Sequence, residues 1–333
     1  MSAPEADTAK EDASVAPLTA TVDAYRRPNG DVGVRNNVLV APSVICSHIV
    51  AERIADATEG AVATPHDHGC AQIGADHDQT ERTLLHLAQN PNVAGVTVVG
   101  LGCEHLQSGP FAERIADSGV PVRETAIQDA GGSDPCIEEG IAASTELAQQ
   151  AESTTTTDAT LADLTVGVVS SDLSESTRSV ADPLVGETVD ALVDAGARVA
   201  VAGTERLAPH GDRAVDRAAT SDAAEALRAA TDPTGQPGNA RGVLRRARDL
   251  PFAETVGAWG EADVSEVVSY GGRPTVDQGL VVVDSPSRFE EAATALAAAG
   301  ASIVVHVTAE GVPTGHPVVP VLKVTGDGTT AAV

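Results

Sequence analysis

An apolar run at positions 93–99 constrains the fold of this chain more than any other feature of its sequence. It reads Val-Ala-Gly-Val-Thr-Val-Val and leads into Gly100, Leu101 and Gly102. A strand that is apolar at successive positions is covered on both faces, which is typical of the parallel sheets of α/β proteins. Because parallel strands need crossover connections, the run predicts helices on both faces of the sheet.

Apolar runs alternate with segments of helical period along the rest of the chain. The predicted strands are 37–41, 93–99, 120–127, 164–169, 197–202, 279–284 and 301–307, with 318–324 as an edge strand because it contains Pro320. The predicted helices are 49–57, 76–89, 111–118, 135–150, 183–195 after the cap Asp182, 213–230, one from about 240, and 289–299. This alternation predicts two Rossmann-like α/β domains, each a parallel sheet in a three-layer α/β/α arrangement.

Composition suggests where the domains begin and end. Residues 1–20 are rich in Ala, Glu, Asp, Ser and Pro, and we expect a disordered acidic tail there. A first domain is predicted at 21–150, a linker at the threonine-rich stretch 151–160, a second domain at 161–333, and a loop at 232–239. With no signal peptide and no membrane-spanning run in the sequence, we expect a cytoplasmic protein.

The charge balance excludes some partners. The chain has 21 Lys and Arg against 48 Asp and Glu, a net charge of −27, and its two lysines are Lys10 and Lys323. Such acidity repels phosphate backbones and anionic lipids, so no nucleic-acid or membrane partner is expected. Acidic residues in every segment, scarce lysine and 2% aromatics indicate adaptation to a cytosol of molar salt, where charges are screened within about 3 Å.

Two short blocks directly after apolar segments carry most of the reactive side chains. They read His66-Asp67-His68-Gly69-Cys70-Ala71-Gln72 and Gly100-Leu101-Gly102-Cys103-Glu104-His105. Loops at the carboxyl ends of parallel strands are where α/β proteins bind ligands. Thiols there are candidate metal ligands or catalytic groups, although each of the four cysteines, Cys46, Cys70, Cys103 and Cys136, could instead be a small buried residue.

Four motifs in the same order resemble the altronate/galactarate dehydratase family over roughly residues 23–328. They are Tyr25-Arg26-Arg27-Pro28-Asn29-Gly30 with 32–36, the His-Gly-Cys block, Asn90-Pro91-Asn92 into Gly102-Cys103-Glu104, and Gly311-Val312-Pro313-Thr314-Gly315-His316-Pro317 into Lys323-Val324-Thr325-Gly326. The resemblance implies a metal-dependent lyase that dehydrates a sugar acid to a 2-keto-3-deoxy acid. Sulfite elimination from sulfolactate is a variant within the family.

The resemblance also implies a cofactor and a partner. Iron(II) is the usual metal of the family, with zinc(II) or manganese(II) as alternatives. Full-length members carry a small N-terminal SAF domain, whereas the match here begins almost at once. This implies the large subunit of a two-chain enzyme whose small SAF-domain subunit is a separate polypeptide, and a homo-oligomer is a further possibility.

The candidate site residues combine this resemblance with ligand chemistry. Cys70, Cys103 and His66 are the candidate metal ligands, since mixed thiolate and imidazole ligation suits iron or zinc. The candidate catalytic residues are His68, Glu104 and Lys323, for proton transfer and charge stabilisation. The candidate substrate-binding residues are Arg26, Arg27, Arg35, Gly69, Gln72, Gly131, Gly132, Thr314 and Gly315.

One segment departs from the family pattern. Where the family carries Glu-Cys-Gly-Gly-Ser-Asp, this chain reads Val169-Ser170-Ser171-Asp172-Leu173-Ser174. Ser170 is a far poorer metal ligand than cysteine. Three hypotheses follow: the first domain alone binds the metal, the substrate differs, or the chain is a non-catalytic sugar-acid binding or regulatory relative. A nucleotide enzyme is disfavoured, since neither Gly-x-Gly-x-x-Gly nor Gly-x-x-x-x-Gly-Lys occurs.

Overall fold

Parallel strands dominate a computed structural model of the chain, which describes residues 20–232 and 241–332. The described strands are β1 (Thr21–Arg26), β2 (Val32–Gly33), β3 (Asn37–Pro42), β4 (Ala61–Ala63), β5 (Val93–Gly100), β6 (Val122–Ala126), β7 (Thr157–Thr160), β8 (Thr165–Ser170), β9 (Arg198–Val201), β10 (Val264–Val268), β11 (Gly279–Val283), β12 (Ile303–Val307) and β13 (Val321–Val324). Most of the acidic tail and of the 232–239 loop expected from sequence lies outside the described residues.

The helices follow the apolar periods of the sequence. They are α1 (His48–Asp56), α2 (Ala75–Ala88), α3 (Ser108–Asp117), α4 (Ser133–Glu152), α5 (Asp182–Asp194), α6 (Gly211–Val215), α7 (Ser221–Ala230), α8 (Arg241–Arg248), α9 (Phe252–Thr255) and α10 (Phe289–Ala298). In the described ranges, none of them is both long and apolar enough to cross a membrane.

The first parallel sheet has the strand order β4-β3-β5-β6. The apolar run at 93–99 forms β5 in its middle, where the side chains of Val96, Val98 and Val99 are fully buried. Helices α1 and α4 pack together against this sheet, and α3 packs on β5 and β6. Parallel sheets flanked by helices confirm the predicted α/β class.

The second sheet is also parallel throughout, with the order β10-β11-β9-β8-β12-β13. Strand β13 lies at one edge and pairs with β12 so that Lys323 is opposite His306. Pro320 precedes it, as predicted for an edge strand, because proline has no N–H to donate to a second neighbour. Helix α10 packs across β8 and β12.

A small antiparallel sheet was not predicted. It has the order β2-β1-β7, and β1 pairs with β7 across 21–24 and 157–160. The predicted linker 151–160 therefore contains the end of α4 and a strand. Its threonines favour extended backbone once a partner strand is available.

Helix prediction was wrong at 213–230, where the structure has two helices. The backbone N–H of Ala219 donates to the carbonyl of Val264, which pulls the chain out of helical geometry. Thr220 then caps α7 by accepting from the N–H of Ala223 at 3.1 Å. The hydrophobic periodicity of the sequence did not reveal the break between α6 and α7, because the alanines on both sides of it are compatible with one continuous helix as well as with two helices.

The predicted cap Asp182 was also wrong. A π-helical turn, Thr177–Ala181, precedes α5, so Asp182 is already helical and makes no capping bond. Its side chain is fully buried and, within the described residues, no donor meets either carboxylate oxygen with full hydrogen-bond geometry, although the Ser170 hydroxyl is close enough to oppose the effect of burial on the pKa. Burial raises its pKa to about 6, against the opposing charge of Arg206.

We expect Asp182→Asn to stabilise the protein at pH 8. As pH rises from about 4, the carboxyl group ionises in the unfolded chain before it ionises in the folded protein. The free energy of unfolding therefore falls up to about pH 6 and stays lower above that pH. A shift of this size corresponds to about 1–3 kcal/mol of unfolding free energy. Denaturant unfolding at pH 8 and pH 4 measures this gain, which should vanish at the lower pH. Asp194→Asn, at the exposed end of the same helix, is the control, and a variant no more stable than wild type at pH 8 would contradict the expectation.

Candidate functional site

Three exposed thiols follow three neighbouring strands of the first sheet. Cys46 comes after β3, Cys70 after β4 and Cys103 after β5. Because these strands are parallel, their loops emerge at the same edge of the sheet. Cys136 differs, since it is buried in α4, and burial raises the pKa of its thiol.

The carboxylate of Glu104 ties two of these loops together. Its Oε1 accepts from Ser43 Oγ at 3.0 Å and from the N–H of Leu101 at 3.2 Å, and its Oε2 accepts from the N–H of Gly102 at 2.6 Å. Only 4% of the residue is exposed. These contacts make Glu104, a candidate catalytic residue, the holder of the loop that presents Cys103.

His66 and His68 lie on the loop after β4. His66 donates from Nε2 to the carbonyl of Pro42 at 2.8 Å and accepts at Nδ1 from the N–H of His68 at 3.1 Å. Both ring nitrogens are therefore used, and burial lowers the pKa of His66. The His68 ring stacks on that of His66 at 6.1 Å and is exposed.

The candidate glycines shape these loops. Gly69 has φ +88°, and a Cβ there would lie 2.4 Å from the carbonyl oxygen of Ser43, so only glycine fits. Gln72 Oε1 accepts from the Gly69 N–H at 3.0 Å, which closes the turn. Gly131 and Gly132 immediately precede α4, and the space around Gly131 is open.

The donor atoms of the first domain determine whether it can hold a metal ion. Within residues 20–232 and 241–332, no group of three or more His, Cys, Asp or Glu side chains is close enough to hold a metal ion. The two thiols Cys70 and Cys103 are available, but neither nitrogen of His66 has a free lone pair in this arrangement. The described residues therefore do not form a metal site by themselves.

The three candidate arginines make structural contacts. Arg26 pairs with Asp163 at 2.8 Å, and Arg27 donates from Nε to the carbonyl of Pro91 at 2.7 Å. Arg35 Nη1 reaches the carbonyl of Pro317 at 3.4 Å, which places it beside the cleft between the sheets. Arg26 and Arg27 line a separate cavity of about 320 Å³.

Lys323 lies on β13 of the second sheet, where it begins a series of hydrogen bonds that continues through His306 to Ser171. Its Nζ is 3.3 Å from His306 Nδ1, and His306 Nε2 is 2.7 Å from Ser171 Oγ. The Lys323 nitrogen is a donor, so Nδ1 of His306 must accept from it. The proton of the neutral imidazole therefore lies on Nε2, which donates to Ser171 Oγ. Burial, and then the charge of Lys323, lower the pKa of His306 to about 4, so the ring is neutral.

Phe289 fixes the orientation of this pair. Its ring stacks on the His306 ring at 4.2 Å, and Lys323 Nζ lies 4.9 Å from the ring centre. Burial lowers the pKa of the Lys323 amine below that of an ordinary lysine. Thr314 Oγ1 lies 3.5 Å from the same nitrogen.

Two adjoining cavities run along the carboxyl edges of both sheets. The larger, of about 800 Å³, lies between the sheets and is lined from one side by His66 and His68 and from the other by Gly315 and His316. The smaller, of about 350 Å³, is lined by Ser171, His306 and Thr314. They share the lining residues Pro286, Arg288 and Glu290.

The structure thus brings together part of the predicted set. His66, His68, Thr314, Gly315 and Lys323 lie in or beside the two cavities. Sequence reasoning missed His306 and Arg288. His306 gave one signal, since it is a lone imidazole in the otherwise apolar run Ile-Val-Val-His-Val of β12.

The departing segment 169–174 comprises the end of β8 and the loop that follows it, under this cavity. The Asp172 carboxylate accepts from the N–H groups of Ala309 and Ser174, both at 2.8 Å. Arg206, only 1% exposed, donates from beneath to the carbonyls of Ser170 and Asp172. These bonds hold Ser171 against His306.

Family comparison accounts for both halves of the chain. The model of the second domain of D-galactarate dehydratase/altronate hydrolase matches residues 24–152, and the model of the C-terminal domain of D-galactarate/altronate dehydratase matches residues 161–333. This chain belongs to the D-galactarate/altronate dehydratase family. The family assignment agrees with the resemblance seen in the motifs.

Curated relatives cover almost all of the chain. The altronate dehydratases of Bacillus subtilis and Escherichia coli are 27% and 29% identical over 91% and 93% of it. The (2R)-sulfolactate sulfo-lyase subunit beta of Chromohalobacter salexigens is 30% identical over 92% of it. The chain spans 65% and 67% of the length of the two altronate dehydratases, and 82% of the sulfo-lyase subunit.

We expect Glu104→Ala to lower the free energy of unfolding by about 1–3 kcal/mol, because the buried hydroxyl of Ser43 and the partly buried N–H groups of Leu101 and Gly102 lose their acceptor. Denaturant unfolding measures this, with the exposed Glu113→Ala on α3 as a control that changes stability by less than about 0.5 kcal/mol. A Glu104→Ala protein of wild-type stability would show that the carboxylate does not hold the loops.

Proposed function

We propose that this chain is the large subunit of a lyase that removes water from a sugar acid and yields a 2-keto-3-deoxy acid. Membership of the dehydratase family supports the reaction class. The observation that carries the proposal is the Lys323–His306 pair at the edge of a cavity that continues into the cleft between the sheets. A small polar substrate can enter a cavity of this size.

The reaction needs one proton removed and one hydroxyl expelled. The C2–H proton passes to a base, the electron pair forms the C2=C3 double bond, and the C3–O bond breaks. The departing hydroxide takes a proton and leaves as water. The enol that remains transfers its hydroxyl proton to C3 and becomes the 2-keto-3-deoxy acid.

We assign proton removal to Lys323. Its neutral amine can donate one N–H to His306 Nδ1 and keep its lone pair for the substrate. Lys323 is an exposed residue, but partial desolvation lowers the pKa of its amine against the opposing charge of Glu290, so more of the amine is neutral than in a fully solvated lysine. Once protonated, the same nitrogen is a cation beside the negative charge that develops on the substrate carboxylate.

We assign protonation of the leaving hydroxyl to His68. Its exposed imidazole lines the larger cavity, whereas the neighbouring His66 has both nitrogens engaged. The half-buried Thr314 and the backbone at Gly315 lie where they can hydrogen-bond substrate hydroxyls. Arg288, between the two cavities, is a further cation for the substrate carboxylate, although it also faces Glu290 at 3.3 Å.

Sulfite elimination is the second candidate reaction. The relative named (2R)-sulfolactate sulfo-lyase subunit beta favours it, because the chain spans more of that relative than of the altronate dehydratases. The same proton removal would apply, with the C–S bond breaking in place of C–O. That relative is a beta subunit, which supports a second, small SAF-domain subunit for this chain as well.

The proposed function is tested by incubating the purified protein with altronate, galactarate and sulfolactate. The product of any adjacent small reading frame is included in the assay. Formation of a 2-keto-3-deoxy acid supports the dehydratase, and release of sulfite supports the sulfo-lyase. Binding of the acids without either product supports the non-catalytic alternative. Salt near molar concentration is used because the net charge of −27 predicts a halophilic protein.

Iron(II) remains part of the proposal as the resemblance implies it, with zinc(II) or manganese(II) as alternatives. Two exposed thiols at one sheet edge support it, and the missing ligands would come from another chain. We expect about one iron per chain in protein purified without oxygen together with its partner. Metal analysis should find less than half of the wild-type iron content in the double variant Cys70→Ser/Cys103→Ser. The control Cys46→Ser should keep the wild-type content. Equal iron in wild type and in both variants would exclude Cys70 and Cys103 as ligands.

We expect Lys323→Met and Lys323→Arg each to reduce kcat by about 10²–10⁴. Arginine stays protonated, so it replaces the charge but not the base. Wild-type kcat should rise with pH through a pKa below the usual lysine range. Steady-state rates across pH 6–10 measure both effects, and an active Lys323→Arg enzyme would show that Lys323 acts through charge alone. Leu322→Ala, an exposed neighbour on β13, is the control.

A further inference from the structure

His316 lines the cleft between the two sheets, on the wall that faces His66 and His68. It belongs to the segment that connects β12 with β13, and its ring is half-buried. Its neighbour Gly315 is a candidate substrate-binding residue, whereas no role has been given to the imidazole itself. A histidine in a cavity of about 800 Å³ can contact a small polar ligand directly.

One nitrogen of the His316 ring is used by the fold and the other is not. Nδ1 accepts from the backbone N–H of Val318 at 3.2 Å, so the proton of the neutral ring lies on Nε2. Among residues 20–232 and 241–332, no acceptor meets this Nε2–H. The nitrogen is also absent from the sealed, unpartnered polar atoms of that part of the chain, so it is accessible from the cleft.

The surroundings of His316 keep its ring neutral. Burial lowers its pKa to about 4, and the charge of Arg35 acts in the same direction. Arg35 is held nearby, since its Nη1 lies 3.4 Å from the carbonyl oxygen of Pro317. At neutral and alkaline pH the ring therefore donates through Nε2 and does not change its own charge. A neutral imidazole of this kind can stabilise negative charge on an oxygen without transferring a proton.

The ring is held in place by its own segment of chain. Pro317 restricts the backbone directly after His316, and Val318 is 1% exposed in the core shared by both halves. The same segment contacts the proposed base, because Thr314 Oγ1 lies 3.5 Å from Lys323 Nζ. The segment 314–323 thus carries both the Nε2–H donor and the base along the two adjoining cavities. A donor fixed before the substrate binds costs no reorganisation during the reaction.

We propose that His316 is a catalytic residue whose Nε2–H donates a hydrogen bond to the oxygen that leaves C3. This rests on the proposed function and adds a second group at the leaving oxygen, on the wall of the cleft that faces His68. As the C3–O bond breaks, its electron pair goes to that oxygen, His68 supplies the proton, and water leaves. His316 keeps its own proton throughout. In sulfite elimination the same donor would meet an oxygen of the departing sulfite.

Two amide variants separate the donor from the structural bond. In His316→Asn the side-chain oxygen can take the place of Nδ1 and accept from Val318, but no donor extends to the position of Nε2. In His316→Gln the longer side chain brings an N–H to that position. We expect kcat to fall by about 30-fold or more in His316→Asn and by less than about fivefold in His316→Gln. KM should change by less than about threefold in both, because the hydrogen bond strengthens only as charge develops.

Rates are measured across pH 6–10 on the acid that wild type converts, with unfolding midpoints to confirm folding. Glu310→Gln, exposed in the same connection and outside the lining of both cavities, is the control and should keep the wild-type kcat. The apparent pKa of the kcat profile should be the same in wild type and His316→Asn. Wild-type kcat in His316→Asn, equal losses in both amide variants, or a shifted apparent pKa would overturn the role of His316 and leave the lyase proposal intact. A wild type that converts none of the acids would refute the proposed function and this role with it.

Discussion

Two buried asparagine side chains hold the two parallel sheets in one fixed relation, and the site depends on that relation. Asn90 Nδ2 donates to the carbonyls of Ala297 and Ala301, and Asn92 Nδ2 donates to that of Ser302. Asn92 Oδ1 in turn accepts from the N–H groups of Val34 and Arg35. Both residues are at most 1% exposed, so each lost bond would leave a buried polar group without a partner.

The apolar core reinforces this arrangement. Leu84 and Leu87 of α2 pack in one cluster with Leu296 and the alanines of α10, so helices from both halves share a core. The cleft with His66 and His68 on one wall and His316 on the other exists because these helices meet directly below it. The chemistry proposed here therefore belongs to the junction of the sheets and not to either sheet alone.

The sequence predicted the structure correctly where the residues of one strand or helix are enough to define its environment. Residues 93–99 predict a buried strand because apolar side chains at successive positions fit only that environment, and Pro320 predicts an edge. It failed where the partner is distant in the chain: β7 forms because β1 lies beside it, and Arg26 pairs with Asp163. Lys323 was predicted as a site residue from its rarity, whereas His306 becomes visible as its neighbour only once strand register is known.

The position of Lys323 on β13 links the site to local stability. An edge strand has one neighbour instead of two, and only four residues of β13 pair with β12. Edge elements of this kind open at a lower free energy than the centre of a sheet. Warming would therefore separate Lys323 from His306 while the two cores remain intact, and hydrogen exchange at 321–324 would be faster than at 93–100. A ligand or subunit that covers this edge would hold the lysine in place.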